Sequence, residues 1–239
     1  MTSTTNEIGQ PIGAALPDWQ PVPRPPRSIL EGRYCRVEPV DVDRHGTDLF
    51  QAYRTDDDDR NWTYLPYGPF ASEAAFKHWM KETCLGEDPL FHGIVDRSSG
   101  QAVGLASYLR IEPKVGVIET GHLHFSPLMQ RKVIATEAIF LMMRRVFGEL
   151  GYRRYEWKCD ALNAPSRQAA ERFGFRFEGV FRQVQIYKGR SRDTAWYSIL
   201  DREWPQLEAA FSRWLDPDNF DDDGAQKTSL RVLISDAAR

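Results

Sequence analysis

The sequence predicts a mixed α/β fold: a single domain with antiparallel strands on both sides of one parallel crossover. Three observations predict it. A length of 239 residues with 41% hydrophobic content suits one sizeable core. Apolar residues recur at spacings of three and four over about 131–150. That helix is bracketed by strand-like runs at 117–125 and 154–159, which makes strand, helix and strand a parallel crossover. Elsewhere, apolar runs separated by glycine and proline turns read as antiparallel strands.

Residues 1–28 hold Pro11, Pro17, Pro21, Pro23, Pro25 and Pro26, which favour extended backbone and remove donors. They read as an arm outside the core, anchored by Leu16 and Trp19 or else disordered. A domain over 29–215 follows, then an acidic tail, 216–239, with Asp221–Asp223. Within the domain, Tyr34–Glu38 is the first strand and 42–53 a helix. Asp56–Asp59 is a solvated loop, since clustered like charges repel. Trp62, Tyr64, Tyr67 and Phe70 are interleaved with Pro66, Gly68 and Pro69, too punctuated for a regular element. Ser72 is placed to cap a helix over 72–85.

Strands follow at 91–96 and 103–111, around a turn at Ser98-Ser99-Gly100. The strand 117–125 comes after a turn near Pro113. The crossover helix puts Ala135, Ile139, Met142, Val146 and Leu150 on one face, and Gly151 ends it. The strand 154–159 is entered through Arg153 and Arg154, read as an exposed basic edge without function. Asn163 caps a shorter helix that Gly174 stops. A hairpin, 176–187 and 192–200, turns at Lys188-Gly189-Arg190, and 204–215 is the last helix.

A formal charge of −3 argues against a nucleic-acid partner, which needs a basic stripe. Cys35, Cys84 and Cys159 form no CxxC pair, as expected of a reduced, cytoplasmic protein. No apolar run approaches the ~20 residues of a membrane helix, and the first residues lack a signal-peptide pattern. The expectation is a cytoplasmic protein with no membrane partner; a homodimer is left open.

The chemistry concentrates in 126–138 and 163–175. The first is a loop opening the long helix, where unpaired N–H groups, the positive helix end, Arg131 and Lys132 converge. A pyrophosphate suits that place; an ordinary helix start is the plainer alternative. Asn163 and Ser166 fit a simple N-cap equally well.

Gln130-x-x-Val133-x-Ala135, then Asn163-x-x-Ser166 and Gly174-Phe175, resemble the GNAT N-acetyltransferases, and more closely the branch that includes the ribosomal-protein N-terminal acetyltransferases. The resemblance spans about residues 30–205, and Val133 stands where that family has a glycine. It implies a central twisted sheet splayed at the cofactor, with acetyl-CoA as acetyl donor and no metal. Phe125, Gln130, Arg131, Lys132, Val133, Ile134, Ala135, Thr136, Asn163 and Ser166 would then hold the donor. Trp62, Tyr64 and Tyr67 would line the acceptor pocket.

Many members carry a tyrosine acid seven residues after that asparagine; here it is Ala170, which leaves Ser166 as the candidate proton donor. Glu119 lies where some members carry a general base, with His122 and His124 as alternatives. Strand alternation puts Glu119, Gly121, Leu123 and Phe125 on one face and Thr120, His122 and His124 on the other. A bulge, frequent in the family's fourth strand, would re-aim the residues beyond it. The His122-x-His124 pair lacks an evident third metal ligand. The expected reaction is direct attack of a primary amine on acetyl-CoA in a ternary complex. The alternative is a non-catalytic acyl-CoA-binding sensor, motivated by Val133 and Ala170. No GxSxG elbow supports a serine hydrolase.

Overall fold

The computed structural model describes residues 3–237. Two short strands, β1 (Ser3–Thr5) and β2 (Pro11–Gly13), pair with each other apart from the main sheet. The main sheet has eight strands: β3 (Leu30–Glu31), β4 (Cys35–Pro39), β5 (Leu90–Asp96), β6 (Ala102–Glu112), β7 (Val117–Phe125), β8 (Arg154–Asp160), β9 (Arg176–Tyr187) and β10 (Arg190–Leu200). Its order is β3-β4-β5-β6-β7-β8-β10-β9, antiparallel throughout except where β8 runs parallel to β7. That one parallel pair is the crossover the sequence predicts.

The first two helices begin where the sequence supplies side-chain acceptors. In α1 (Val42–Tyr53), Asp41 accepts from the N–H groups of Asp43 and Arg44; in α2 (Glu73–Thr83), Ser72 accepts from that of Ala75. These two helices cover one face of the sheet, where Leu49, Phe76 and Met80 meet Phe91 and Leu105. The other face is covered by α3 (Val133–Arg144) and α5 (Trp204–Trp214), through Ile139, Met142 and Phe211 against Ile118 and Tyr155. A π-helical turn, Arg145–Glu149, extends α3. Buried Glu137 fixes the place of α3, its carboxylate accepting from the N–H groups of Arg33, Tyr34 and Cys35, each at 2.7 Å. The remaining connection is α4 (Ala164–Arg172), stopped at Gly174 with φ +89°. That left-handed backbone favours glycine, and a Cβ there would also press on Leu207 Cδ2 at 2.6 Å.

Two features depart from expectation at the termini. In the arm, Trp19 does anchor: its indole N–H donates to the Lys114 carbonyl at 2.9 Å, and the ring lies against Gly116. Leu16 does not, being 52% exposed. Within the acidic C-terminal stretch an unforeseen helix, α6 (Leu230–Ala237), packs on α5 and buries Leu230 and Leu233 in the core. Cys35, Cys84 and Cys159 are free and buried. Burial pushes the Cys84 thiol up to about 12 and raises those of Cys35 and Cys159 as well. Among the described residues, no helix is long and apolar enough to cross a membrane.

Candidate active site

The site opens where the two parallel strands part. Strands β7 and β8 pair from Val117↔Arg154 to Thr120↔Trp157 and no further, though both continue. A bulge explains the parting. Against β6, Gly121 faces Ser107 but His124 faces Leu105, so β7 carries one extra residue there, and His122 adopts φ +49°. Such a bulge bends its strand away from its neighbour. The result is a cleft of about 2120 Å³ between the two strands, the start of α3, α4 and the β9–β10 hairpin.

The bulge also re-sorts the candidate bases. Unbroken alternation separates Glu119 from the two histidines. In the structure Glu119 faces Leu109 and His124 faces Leu105, two positions on the same side of β6. His122 packs there too, against Tyr67 and Phe91, while Leu123 and Phe125 turn to the opposite core. All three candidates thus share one side of the sheet.

Their surroundings differ sharply. Glu119, 3% exposed, accepts from Arg110 at 2.7 Å and Lys158 at 2.8 Å. Lys158 also holds Glu156 at 2.7 Å, and Arg154 joins Glu156 to Glu178. Arg154 is therefore a paired member of this chain of charges, which corrects its reading as an exposed basic edge. Burial raises the Glu119 pKa while Lys158 and Arg110 pull it back. Protonating this carboxylate means giving up two short ion pairs.

His124 lies stacked on Tyr53 at 3.7 Å and edge-on to Trp62 at 4.0 Å, with no protein partner for either ring nitrogen. Burial pushes its pKa down to about 3. His122 is half-buried and faces the cleft, with Nδ1 3.1 Å from the Tyr67 hydroxyl. Burial, then Arg110 and Arg192, push it down to about 4, so the ring is neutral near pH 7.

At the other end, Gln130 donates from Nε2 to the Phe125 carbonyl at 2.7 Å and to Asn61 Oδ1 at 3.0 Å, tying the loop to the end of β7. Lys132 precedes α3 and offers no side-chain cap, so the first N–H groups of the helix, from Val133 on, face the cleft unsatisfied by side chains. The left-handed residue of the loop is Arg131, at φ +59°; Val133 begins the helix and needs no such freedom. Gln130, Arg131, Lys132, Val133, Ala135 and Thr136 line the cleft. Ile134 does not: it points into the core, 5% exposed.

Thr136 Oγ1 accepts from Arg172 Nη1 at 3.0 Å, and that guanidinium lies about equally far from the rings of Phe173 and Trp214. Asn163 acts as an N-cap, Oδ1 accepting from the Ser166 N–H at 3.1 Å. Ser166 Oγ accepts from the Trp157 indole at 3.0 Å, and both Asn163 and Ser166 line the cleft. Ala170 is fully buried.

Of the three aromatic residues expected at the acceptor end, Tyr64 lines the cleft and donates to the Leu162 carbonyl at 3.1 Å. Trp62 and Tyr67 do not line it; they back His124 and His122 from the α1–α2 core. The hairpin supplies the far wall through Ile186, Tyr187, Arg192 and Trp196. Lys188 at its tip donates to the Trp62 carbonyl at 2.7 Å.

Comparison with known proteins agrees with this geometry. Residues 37–176 match the acetyltransferase (GNAT) domain family. The chain belongs to that family. A GCN5-related N-acetyltransferase from Brucella melitensis is 49% identical, with a TM-score of 0.90 over 92% of this chain and 100% of that one. A GNAT-family protein from Chromobacterium violaceum is 42% identical, with a TM-score of 0.76 over 82% of this chain and 98% of the other. The microcin C7 self-immunity acetyltransferase, solved with acetyl-CoA and AMP, is 19% identical and shares the fold alone. The uncharacterized N-acetyltransferase YnaD of Bacillus subtilis is 35% identical over 81 residues, 34% of this chain and 47% of that protein. The chain thus spans about half the length of this curated relative.

Arg110, Lys158, Arg172 and Arg192 are among the cleft residues that sequence reading misses. Charged residues at 154, 156 and 158 share one face of a strand beside the fourth strand of a GNAT sheet, a legible signal for Lys158. Arg172 and Arg192 reach the cleft only through tertiary packing, and no local pattern announces them.

Proposed function

We propose that this GNAT domain transfers acetyl from acetyl-CoA to a primary amine by direct attack within a ternary complex. The observation that carries the reading is the parting of β7 from β8 beside an uncapped helix start. The chain's own groups fit the donor. The free edge of β7 beyond Thr120 offers backbone groups to an amide-bearing arm, and the N–H groups opening α3, with Arg131 and Lys132, suit a pyrophosphate. Acetyl-CoA supplies an activated thioester.

In this reading His122 takes the amine proton. The nitrogen becomes strongly acidic as its bond to carbon forms, so a weak base suffices. Glu119 acts through Arg110 and Lys158, holding them along the cleft. Ser166 receives one hydrogen bond from Trp157 and keeps its own proton to donate toward the departing sulfur. The resemblance to the ribosomal-protein N-terminal branch favours an α-amine, whose pKa of ~7.7–8.0 leaves more of it neutral than a lysine.

The test is release of free coenzyme thiol over an amine and peptide panel, with acetylated products identified by mass. Thermal stabilisation by acetyl-CoA is expected, about 2.7 kcal/mol at a hundredfold excess over Kd. Absence of both binding and thiol release at millimolar acetyl-CoA would overturn the reading.

A further inference from the structure

We propose that the acceptor is a small amine carrying an anionic group, a carboxylate or a phosphate, and that Arg192 is the side chain that reads this group. The proposal rests on the acetyltransferase reading above and names the substrate class of that same site.

The cations of the cleft are not equivalent. Arg110, Lys158 and Arg154 are each held by a carboxylate: Glu119, Glu119 with Glu156, and Glu156 with Glu178. Their charge is spent within the protein. Arg192 has no carboxylate within ion-pair distance among the described residues. Among the cleft's cations it shares that state only with Arg131, Lys132 and Arg172, which stand at the α3 end of the cleft. The Arg192 Nε donates to Thr194 Oγ1 at 3.1 Å, and its guanidinium carbon stands 5.8 Å from the centre of the Tyr187 ring. These contacts aim the side chain without occupying its two terminal nitrogens. Asp160, which lines the same cleft, is engaged elsewhere, accepting from the Leu162 N–H and the Tyr187 hydroxyl, both at 2.8 Å.

A half-buried guanidinium with a free fork matches a carboxylate or phosphate edge, and it is worth most where water is partly excluded. Arg192 lines the cleft with His122 and is near enough for its charge to act on that ring, so an anion bound there brings an amine a few bonds away toward the proton acceptor. The positive charge also disfavours an ammonium ion nearby and so favours the neutral, attacking form of the amine. Size follows from the walls. Lys188 ties the hairpin to Trp62, and Tyr64 ties the same loop to Leu162. Both ties fix the 62–64 loop against the hairpin and the end of β8, a bridge across that side of the acceptor end that a small molecule need not cross.

The experiment compares matched amines: alanine with alaninamide, and phosphoethanolamine with ethanolamine. For wild-type protein and Arg192→Gln, kcat/KM is read from thiol release, with acetyl-CoA affinity measured alongside to show that the variant folds. Wild type is expected to prefer the anionic member of at least one pair by roughly 10- to 100-fold, and Arg192→Gln to bring that ratio near one. Arg192→Lys should keep part of the ratio. Which pair responds distinguishes carboxylate from phosphate. Preference for the neutral members, or an anionic preference that Arg192→Gln leaves intact, overturns the proposal. Failure of the protein to bind acetyl-CoA is a failure of the acetyltransferase reading instead. The same pairs are then titrated calorimetrically, and anion-selective binding that Arg192→Gln abolishes must still appear or the proposal falls.

Discussion

Glu119 and His122 stand three residues apart on one strand, on one side of one sheet, yet their chemical prospects diverge. A carboxylate gripped by Arg110 and Lys158 gains little by accepting a proton, whereas a neutral imidazole with one nitrogen on Tyr67 is free to accept at the other. His122→Ala is therefore expected to lower kcat by roughly 10²–10⁴, with acetyl-CoA affinity retained. Glu119→Gln should cost stability first, because it leaves Arg110 without its carboxylate and Lys158 with Glu156 alone. With the His122 value near 4, the acidic limb of kcat/KM above pH 5 belongs to the substrate amine. Changing to an amine of different pKa should move that limb; a limb that stays put assigns it to an enzyme group instead, and full activity in His122→Ala removes the histidine from the mechanism.

At the scale of elements, the entrance of α3 explains how a GNAT loop tolerates a valine. The left-handed turn falls on Arg131, and Val133 occupies the first helical position. Val133→Gly is thus expected to leave acetyl-CoA affinity within about twofold, while lowering helix stability by under ~1 kcal/mol. Arg131→Glu with Lys132→Glu should weaken binding, more at low salt. Calorimetric titration at two ionic strengths checks both, and a collapse of affinity in Val133→Gly would show that the valine side chain shapes the site.

Both helix starts and the crossover were legible in the sequence because caps, glycine stops and 3.6-residue periodicity are local. Asn163 and Gly174 do what their types dictate. The bulge at His122 was legible only as a family habit, since a register shift depends on what β6 presents opposite. Trp62 and Tyr67 looked like pocket aromatics because composition does not say which side of a ring faces solvent. The helix α6 went unread because eight residues after an acidic run carry too short a period to stand out.

For the whole molecule, the histidines set the response to acid. His92 and His122 are pushed down to about 4, His124 to about 3, and His45 is lowered as well, burial being the largest cause in each. The fold therefore favours neutral rings. The associated stability is fully present above the unfolded value of ~6.5 and is lost as pH falls toward the folded values, by about 1.4 kcal/mol per pH unit for each group. Unfolding near pH 5 should take up roughly three protons per chain from these rings, read from the pH dependence of the urea midpoint. A midpoint flat between pH 6.5 and 5 would contradict the burial of these rings.

Cys35, Cys84 and Cys159 add a practical corollary, since all three thiols are buried. A thiolate-seeking dye added during turnover counts coenzyme leaving the enzyme and ignores the enzyme itself. Once the chain opens, three sulfurs per molecule react with the same dye. Their rate of appearance times the opening, and bound donor, by stabilising the folded chain, should slow it. One reagent thereby reports catalysis, global opening and occupancy of the cleft in a single trace.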